Sequence, residues 1–392
     1  MNKKVPCLLL SILILSLTGC WNNRDLTELS VVTAVAIDKA ENNDIELTVQ
    51  IVKAESLKTT ESGSGGSSNN KPYVNISSTG VTMFDAVRNL LATASNRPFY
   101  SHVQLMVISD EMLKTNIDEF LDLFERNSET RRRADLLIAK GLKAKTVLES
   151  ESSQVKFPSE HDVESLKANE AYGKTPQITL VDYLKANKKK GYGIVIPVIY
   201  NTKGTEENFT HEDLKIEGGA IIKKGVLVGF LNPIQARGYL FINNELKSTI
   251  INLPGIADPD KKLSLEVVRS SGKVKAKLNG DKPELSVEVD AEGDIGEVQG
   301  KEDITKPEVI NKLEKEAEKE ILRELTDVIN VAQSNYKTDI FGFCNELNRN
   351  YYKEWKRIED NWDNIYSRTS IKLKVKFKIN RQGLINKSIN SK

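Results

Sequence analysis

The stretches VVTAVAID at residues 31–38 and DIELTVQIVK at residues 44–53 decide the fold class. The first is rich in β-branched residues and is bounded by polar ones, which predicts a buried strand. In the second, apolar residues occupy the odd positions from Ile45 to Ile51 and polar residues occupy the even positions between them. This alternation predicts a strand with one solvated face. We therefore expect the folded part of the chain to begin as a β-sheet.

Strand and helix signals alternate from there to residue 140. Thr82 can cap a helix whose apolar stripe we expect in the core, and the spacing of Ile117, Phe120 and Phe124 predicts a second amphipathic helix. The stripe of the first helix consists of Phe84, Val87, Leu90, Leu91 and Ala94. Further strands are predicted at residues 73–78, 102–109 and 133–140. This order is typical of an α+β or mixed domain, interrupted by a flexible Ser- and Gly-rich loop at residues 61–70.

The middle of the chain changes character twice. Residues 141–190 are polar and helical in pattern, whereas the apolar stretches at residues 194–199 and 218–230 predict short strands with a hairpin turn. The turn-rich segment at residues 253–259 is the expected boundary to a further domain.

The C-terminal part shows the clearest pattern. Three short alternating strands are predicted, with turns at Ser271-Gly272 and Asn279-Gly280. The strands cover residues 263–269, 274–278 and 285–289. A long helix is expected to begin at Pro307, and a second helical stretch covers residues 339–366.

The last strand, residues 371–379, alternates apolar residues with lysines at positions 372, 374, 376 and 378. We interpret the lysines as a solvated face that protects a sheet edge. Contact with acidic lipid headgroups is the alternative.

These patterns predict an α+β multidomain protein with mixed or antiparallel sheets and packed helices. We expect an N-terminal α+β domain at residues 20–190, a small β-rich middle domain at residues 191–257 and a C-terminal α+β domain at residues 258–392. The C-terminal domain would consist of meander strands, two long helices and a last strand.

A lipobox ends the apolar run near the start of the chain. Lys3 and Lys4 precede this run, and Leu17-Thr18-Gly19-Cys20 closes it with small residues before a cysteine. The run is shorter than the about 20 residues of a membrane-spanning helix. We expect a signal peptide at residues 1–19 and lipidation of Cys20, where two acyl chains give stable membrane attachment. The alternative is an ordinary signal peptide with an accidental cysteine.

Composition and motifs exclude several functional classes. The 56 Lys and Arg residues balance 55 Asp and Glu residues, so no nucleic-acid partner is expected. Cys7 leaves with the signal and Cys20 carries the lipid, so Cys344 has no thiol with which to pair. The histidines are scattered along the sequence, and we expect no metal site. They are His102, His161 and His211.

Signatures of catalysis are also missing from the sequence. It contains no phosphate loop, dinucleotide-binding turn or nucleophile elbow, so we expect no catalytic residue and no cofactor. A carboxylate pair stays possible, because acidic residues are numerous and none is singled out. The basic run Arg131-Arg132-Arg133 is interpreted as surface charge, with a partner contact as the alternative.

Several separated motifs resemble the C-subunit family of spore germinant receptors, the Ger(x)C lipoproteins. The resemblance spans nearly the whole chain, and the order and spacing of the motifs carry it. They are Gly19-Cys20-Trp21, Arg24-Asp25-Leu26, Leu29, Ala36-Ile37-Asp38, Arg97-Pro98-Phe99-Tyr100-Ser101-His102, Arg126 to Arg133, Ala139-Lys140-Gly141, Asp339-Ile340-Phe341-Gly342-Phe343, Trp355-Lys356-Arg357-Ile358-Glu359, Trp362 and the alternating last strand. Cys344, where a small residue is expected, and the extended Ser/Gly loop depart from the pattern.

The resemblance implies a three-domain α+β lipoprotein on the outer face of the spore inner membrane. It would act without catalysis, together with membrane-embedded A and B subunits, in a receptor that starts germination when nutrients appear. Arg97, Tyr100 and His102 are candidate partner-contact residues, and a well-packed turn before a core strand is the alternative interpretation of them.

Two other functional classes stay open at this stage. A solute-binding lipoprotein of a transporter normally has two lobes of repeated strand–helix units, which the meandering C-terminal strands do not resemble. A lipid-tethered hydrolase would need an activated nucleophile or an acid/base pair, and the sequence offers neither.

Overall fold

The computed structural model describes six segments of the chain. They are residues 29–53, 71–126, 133–152, 155–203, 210–256 and 258–381. Several sequence predictions therefore lie outside the described residues. These are the signal peptide, Cys20, the Ser/Gly loop at residues 61–70, and Arg131 and Arg132 of the basic run.

A nine-stranded sheet occupies the N-terminal half of the described chain. Its strands are β1 (Leu29–Lys39), β2 (Ile45–Val52), β3 (Tyr73–Gly80), β4 (Arg97–Phe99), β5 (Leu105–Ser109), β6 (Asp135–Ala139), β7 (Ile194–Asn201), β8 (Leu214–Lys223) and β9 (Val226–Leu231). The order is β3-β2-β1-β5-β6-β7-β8-β9, and β4 pairs with the start of β1. The central strands β1, β5, β6 and β7 are parallel, whereas the outer pairs are antiparallel.

Helices cover both faces of this sheet. One face packs against α1 (Met83–Asn89), α2 (Asp118–Arg126) and α5 (Leu180–Asn187). The opposite face packs against α3 (Ala144–Glu149) and α4 (Pro158–Tyr172). Parallel strands need crossover connections, and these helices supply them, so both faces of β1, β5 and β6 are buried.

A second sheet, of four strands, lies in the C-terminal half of the described chain. Its strands, in spatial order, are β10 (Thr249–Pro254), β11 (Lys262–Asn279), β12 (Lys282–Val298) and β13 (Ile371–Arg381). The helices packed with it are α6 (Pro233–Ile242), α7 (Pro307–Asn330), α8 (Phe343–Asn350), α9 (Tyr352–Ile358) and α10 (Trp362–Arg368). The α+β class with packed helices is confirmed.

The strands of the expected middle domain belong to two different sheets. Strands β7, β8 and β9 extend the N-terminal sheet, because β7 pairs in parallel with β6 through Ile138 and Ala139. Strand β10 instead begins the second sheet by pairing with β11. The boundaries at residues 190 and 257 stay predictions, but the sheets themselves change between β9 and β10.

Strand β2 differs from the expectation of one solvated face. Thr48 and Gln50 on its polar side are fully buried. Helices α3 and α4 cover that side, where Gln50 donates to the carbonyl of Leu148 at 3.3 Å and accepts from the Ser159 hydroxyl at 2.5 Å. The polar residues on this side of β2 can be buried because they are hydrogen-bonded inside the protein.

Helix α1 buries a different stripe from the predicted one. The Thr82 hydroxyl accepts from the amide of Asp85, which confirms the cap. Met83, Ala86 and Leu90 are buried, whereas Phe84 is 53% exposed. Leu91, also predicted to be core, is 44% exposed. The helix ends at Asn89, so Leu91 and Ala94 lie beyond it, and Met83 and Ala86 are its buried residues where it packs on β2 and β3.

The predicted turn at Ser271-Gly272 is wrong, because β11 continues through it for 18 residues. Gly272 lies where the strand crosses the end of α6. A Cβ atom at Gly272 would lie 2.1 Å from the carbonyl oxygen of Phe241 and 2.5 Å from that of Ile242. The glycine therefore serves a close backbone approach. The turn at Asn279-Gly280 is confirmed, with Gly280 at a φ of 63°.

The predicted helical stretch at residues 339–366 is three helices, and a buried carboxylate organises their start. Asp339 is fully buried. Its Oδ1 accepts from the amides of Phe341 at 3.1 Å, Gly342 at 2.9 Å and Phe343 at 3.3 Å. Its Oδ2 accepts from the amide of Cys344 at 2.7 Å and the indole of Trp362 at 3.3 Å.

We expect Gly272→Ala to lower the free energy of unfolding by about 1–3 kcal/mol, because the new methyl overlaps the end of α6. Gly296→Ala in β12 is the matched control, since its Cβ would meet only the Ser264 carbonyl oxygen at 3.6 Å. Urea unfolding followed by circular dichroism measures both. Equal stability of the two variants would contradict the close approach.

We expect Asp339→Asn to destabilise the chain by about 3 kcal/mol, because an amide nitrogen replaces one acceptor oxygen facing the buried donors. The Cys344 thiol reports the same change. Burial and the Asp339 carboxylate raise its pKa well above the usual range, so native protein should resist alkylation at pH 8.

The Asp339→Asn variant should be alkylated at Cys344 much faster than the wild type. Asp360→Asn is the matched control, because the side chain of Asp360 is 90% exposed and its substitution should change neither labelling nor stability. Rapid labelling of the native wild type would show that the thiol is accessible and that this account of the Asp339 cluster is incorrect.

Candidate functional site

The predicted contact segment, residues 97–102, lies beside the first described strand. Strand β4 pairs in parallel with β1, with Leu29 opposite Arg97 and Val31 opposite Phe99. A single 3-10 turn, Tyr100–His102, then leads towards β5. The segment therefore lies next to the beginning of β1.

The three candidate residues do not share one surface. The side chain of Tyr100 is buried, and burial raises the pKa of its hydroxyl although the nearby Arg97 charge acts in the opposite direction. His102 is exposed, and its ring lies 5.8 Å from that of Phe99. Arg97 is half-buried and makes an interaction of its own within the chain. Tyr100 thus belongs to the packed turn, and His102 with the accessible part of Arg97 forms the surface.

Asp38 and Asp339, two further motif residues, accept hydrogen bonds from backbone amides of the chain itself. Asp38, at the end of β1, is buried, and its carboxylate accepts from the amides of Ala144 at 2.7 Å and Lys145 at 2.8 Å. It caps α3, as Asp339 caps α8. The Trp355 and Trp362 rings pack edge to face at 5.3 Å in the C-terminal core. These motifs stabilise the fold.

The lysine face of β13 lies beside an acidic face. Lys374, Lys376 and Lys378 are opposite Glu288, Asp290 and Glu292 of β12. In a parallel pair, residues in register share one side of the sheet, so the two rows of charge offset each other. This arrangement favours the solvated face over contact with acidic headgroups.

Carboxylates of α7 also protect the edge of β13. Glu318 accepts from the amide of Phe377 at 3.2 Å, and Glu314 accepts from that of Ile379 at 2.9 Å. These bonds occupy donors that an open edge would present to another strand.

A cavity of about 410 Å³ opens at the ends of β6 and β7. The ammonium of Lys140 lies 4.4 Å above the Phe230 ring on its wall. Glu217 accepts from the hydroxyls of Tyr172, at 2.9 Å, and Tyr200. Burial alone would raise the pKa of Glu217, but these hydrogen bonds and the ammonium of Lys215 lower it below its usual value. The cavity therefore offers an apolar wall and a carboxylate that is already paired.

Two of the three histidines meet in the structure, although 50 positions separate them in the sequence. The rings of His161 and His211 lie 4.6 Å apart in an edge arrangement, next to Asp162. Burial and the neighbouring His211 lower the pKa of His161. No sequence motif predicts this cluster, because the two histidines lie on elements that are far apart in the sequence. It is the group of described side chains whose atoms are spaced to hold a metal ion.

Membrane topology adds one further observation. Among the residues that the structure describes, no helix is both long and apolar enough to cross a bilayer.

Family models match both halves of the chain. The model described as "Spore germination protein N-terminal domain" matches residues 22–200, and the one described as "Spore germination B3/ GerAC like, C-terminal" matches residues 217–383. The gap between the two matches lies within the predicted middle domain.

Curated relatives align along almost the whole chain. Spore germination protein KC of Bacillus subtilis (strain 168) is 29% identical over 98% of this chain and 97% of its own length. Spore germination protein B3 of the same organism is 27% identical over 96% and 97%. Spore germination protein A3 is 25% identical over 93% and 94%.

A solved structure shares the fold. The crystal structure of the GerBC protein superposes with a TM-score of 0.56 at 22% identity, covering 88% of this chain and 96% of that one. With both family models, the aligned relatives and this fold in agreement, the chain belongs to the GerAC-like family of spore germination proteins, the Ger(x)C family of germinant receptor C subunits.

Proposed function

We propose that this chain is a lipid-anchored, non-catalytic subunit of a nutrient germinant receptor on the outer face of the spore inner membrane. It assembles there with the membrane-embedded A and B subunits and is needed for nutrient-triggered germination. Membership in the germination family and the lipobox at Cys20 support this proposal.

Leu29, the first residue of β1, lies close in the sequence to the proposed lipidation site. Nine Cα–Cα steps separate Cys20 from Leu29. An extended chain spans at most about 3.5 Å per residue, so a lipid on Cys20 holds the start of β1 within about 30 Å of the bilayer. Leu29 is paired with Arg97, which places the contact segment at the same end of the molecule.

The exposed residues of that end are therefore the ones closest to membrane-embedded partners. His102 is exposed and stands next to the half-buried ring of Phe99. Aromatic residues are enriched in protein interfaces, and the rim of an interface is polar and solvent-accessible. We infer that this surface meets the A or B subunit.

The two sheets argue against the solute-binding alternative. A two-lobed binding protein has similar lobes on either side of a hinge. Here one sheet has nine strands with a parallel centre and helices on both faces, whereas the other has four strands and helices on one side. The two halves are not repeats of one unit.

Spores that lack this protein should show a nutrient-specific germination defect, which wild-type protein restores and Cys20→Ala does not. Dipicolinate release against a nutrient panel measures the defect, and membrane fractionation measures the anchor. Cys344→Ala is the matched control, because it removes the other mature cysteine from a buried site and should still restore germination. Normal germination of the deletion strain with every nutrient would contradict the receptor role.

The His102→Glu variant should reduce co-purification of the A and B subunits from spore membranes by tenfold or more. Because the side chain is exposed and its one ring contact is with Phe99, the melting temperature should change little. Lys301→Glu, an exposed substitution in the segment before α7, is the control. Equal recovery of the partners with both variants would place the interface elsewhere.

A further inference from the structure

The cluster of His161, Asp162 and His211 joins two distant elements. His161 and Asp162 lie in the first turns of α4, and His211 begins the 3-10 turn His211–Asp213 that leads into β8. One ligand atom from each residue lies within 4.8 Å of the others. Asp162 and His211 are 1% exposed, whereas His161 is half-buried and faces a cavity.

Both ring nitrogens of His211 have a polar neighbour. Nδ1 lies 2.6 Å from the Ser150 hydroxyl oxygen, and that oxygen lies 2.7 Å from the carbonyl oxygen of Val147, which accepts its one hydrogen. In the tautomer that carries its proton on Nδ1, the Ser150 oxygen accepts from Nδ1–H and Nε2 carries a lone pair.

Nε2 of His211 lies 3.1 Å from Oδ1 of Asp162. In the tautomer with Nδ1–H both atoms are acceptors, and a metal ion bound by both would satisfy them. The distance resembles the separation of about 3.3 Å between two ligand atoms on a tetrahedral zinc ion.

The other oxygen of Asp162 is also without a partner. Oδ2 is buried, and no hydrogen-bond donor reaches it among the described residues. A buried carboxylate oxygen in this state costs free energy unless something compensates it.

A cavity beside the cluster gives access and room for water. Its volume is about 300 Å³, and its walls include His161, Asp162, Ser165, Asn169 and Tyr172. A bound ion therefore has an entry path and space for a water ligand.

We propose that His161, Asp162 and His211 bind a divalent transition-metal ion. Two imidazoles and one carboxylate favour zinc over magnesium or calcium, which prefer oxygen ligands. Three protein ligands leave a fourth position for water from the cavity. The Nδ1–H bond from His211 to Ser150 is the outer contact that orients a metal-bound imidazole.

The ion joins the start of α4 to the turn before β8, and through Ser150 to the end of α3. These elements cover one face of the nine-stranded sheet. The site therefore stabilises the layer that lies over β1, β5 and β6, and it is independent of the contact surface at His102.

Metal titration of the full-length lipoprotein tests the proposal. The chain is purified in detergent with a tag that lacks histidine, stripped with EDTA and then exchanged into chelator-free buffer. We expect one Zn²⁺ per chain by calorimetry, visible absorption on Co²⁺ addition, and a melting temperature that rises with Zn²⁺ and falls back with EDTA.

Three variants locate the ligands. His161→Gln and Asp162→Asn should each weaken binding by at least tenfold, and Ser150→Ala by about 10- to 100-fold. His102→Gln, which changes the remaining histidine, should bind as the wild type does. Because His161 is half-buried, its variant should melt as the wild type does in EDTA, which separates lost binding from lost folding.

Absence of stoichiometric binding, or unchanged binding in His161→Gln and Asp162→Asn, would overturn the site. The contact between His211 and Asp162 would then be a hydrogen bond from Nε2–H to the carboxylate. Neither outcome bears on the germination defect of spores that lack the protein.

Discussion

The buried carboxylate of Asp339 is the constraint on which the relation of the two sheets depends. Five donors converge on it, four from the backbone at the start of α8 and one from Trp362. Its own carbonyl accepts from the amide of Gly193 at 2.9 Å, just before β7. One residue thus holds the nine-stranded sheet, the start of α8 and the start of α10 together. Removing charge there leaves several donors unpaired in a region that water does not reach.

The same device appears at the other end of the sheet, where Asp38 caps α3. Strand β1 therefore has a paired carboxylate at its end and the β4 segment at its beginning. The neighbours of β1 are β2, β4 and β5, so hydrogen bonds hold this strand on both sides.

Local patterns in the sequence predicted most strands and helices, because period and capping depend on neighbouring residues. They failed where a distant element decides the outcome. Gln50 alternates like a solvated residue, yet α4 buries it through Ser159. Gly272 is a residue type common in turns, yet it lies within a strand, where its missing side chain lets the carbonyl of Phe241 approach closely. The pairing of β6 with β7 joins residues about 60 positions apart and leaves no local pattern, so the sequence does not indicate that the middle strands extend the N-terminal sheet.

The candidate surface was harder to predict than the fold for a related physical reason. The motifs that carry the family resemblance include Asp38, Asp339 and Trp362, and each of them holds buried backbone or core in place. Such residues identify the scaffold, since breaking a buried hydrogen-bond network or opening a core cavity is among the most destabilising effects of single substitutions. Partner contacts instead depend on exposed side chains with no packing role. Residues 97–102 contain both kinds: Tyr100 is buried in the turn, whereas the side chain of His102 is exposed.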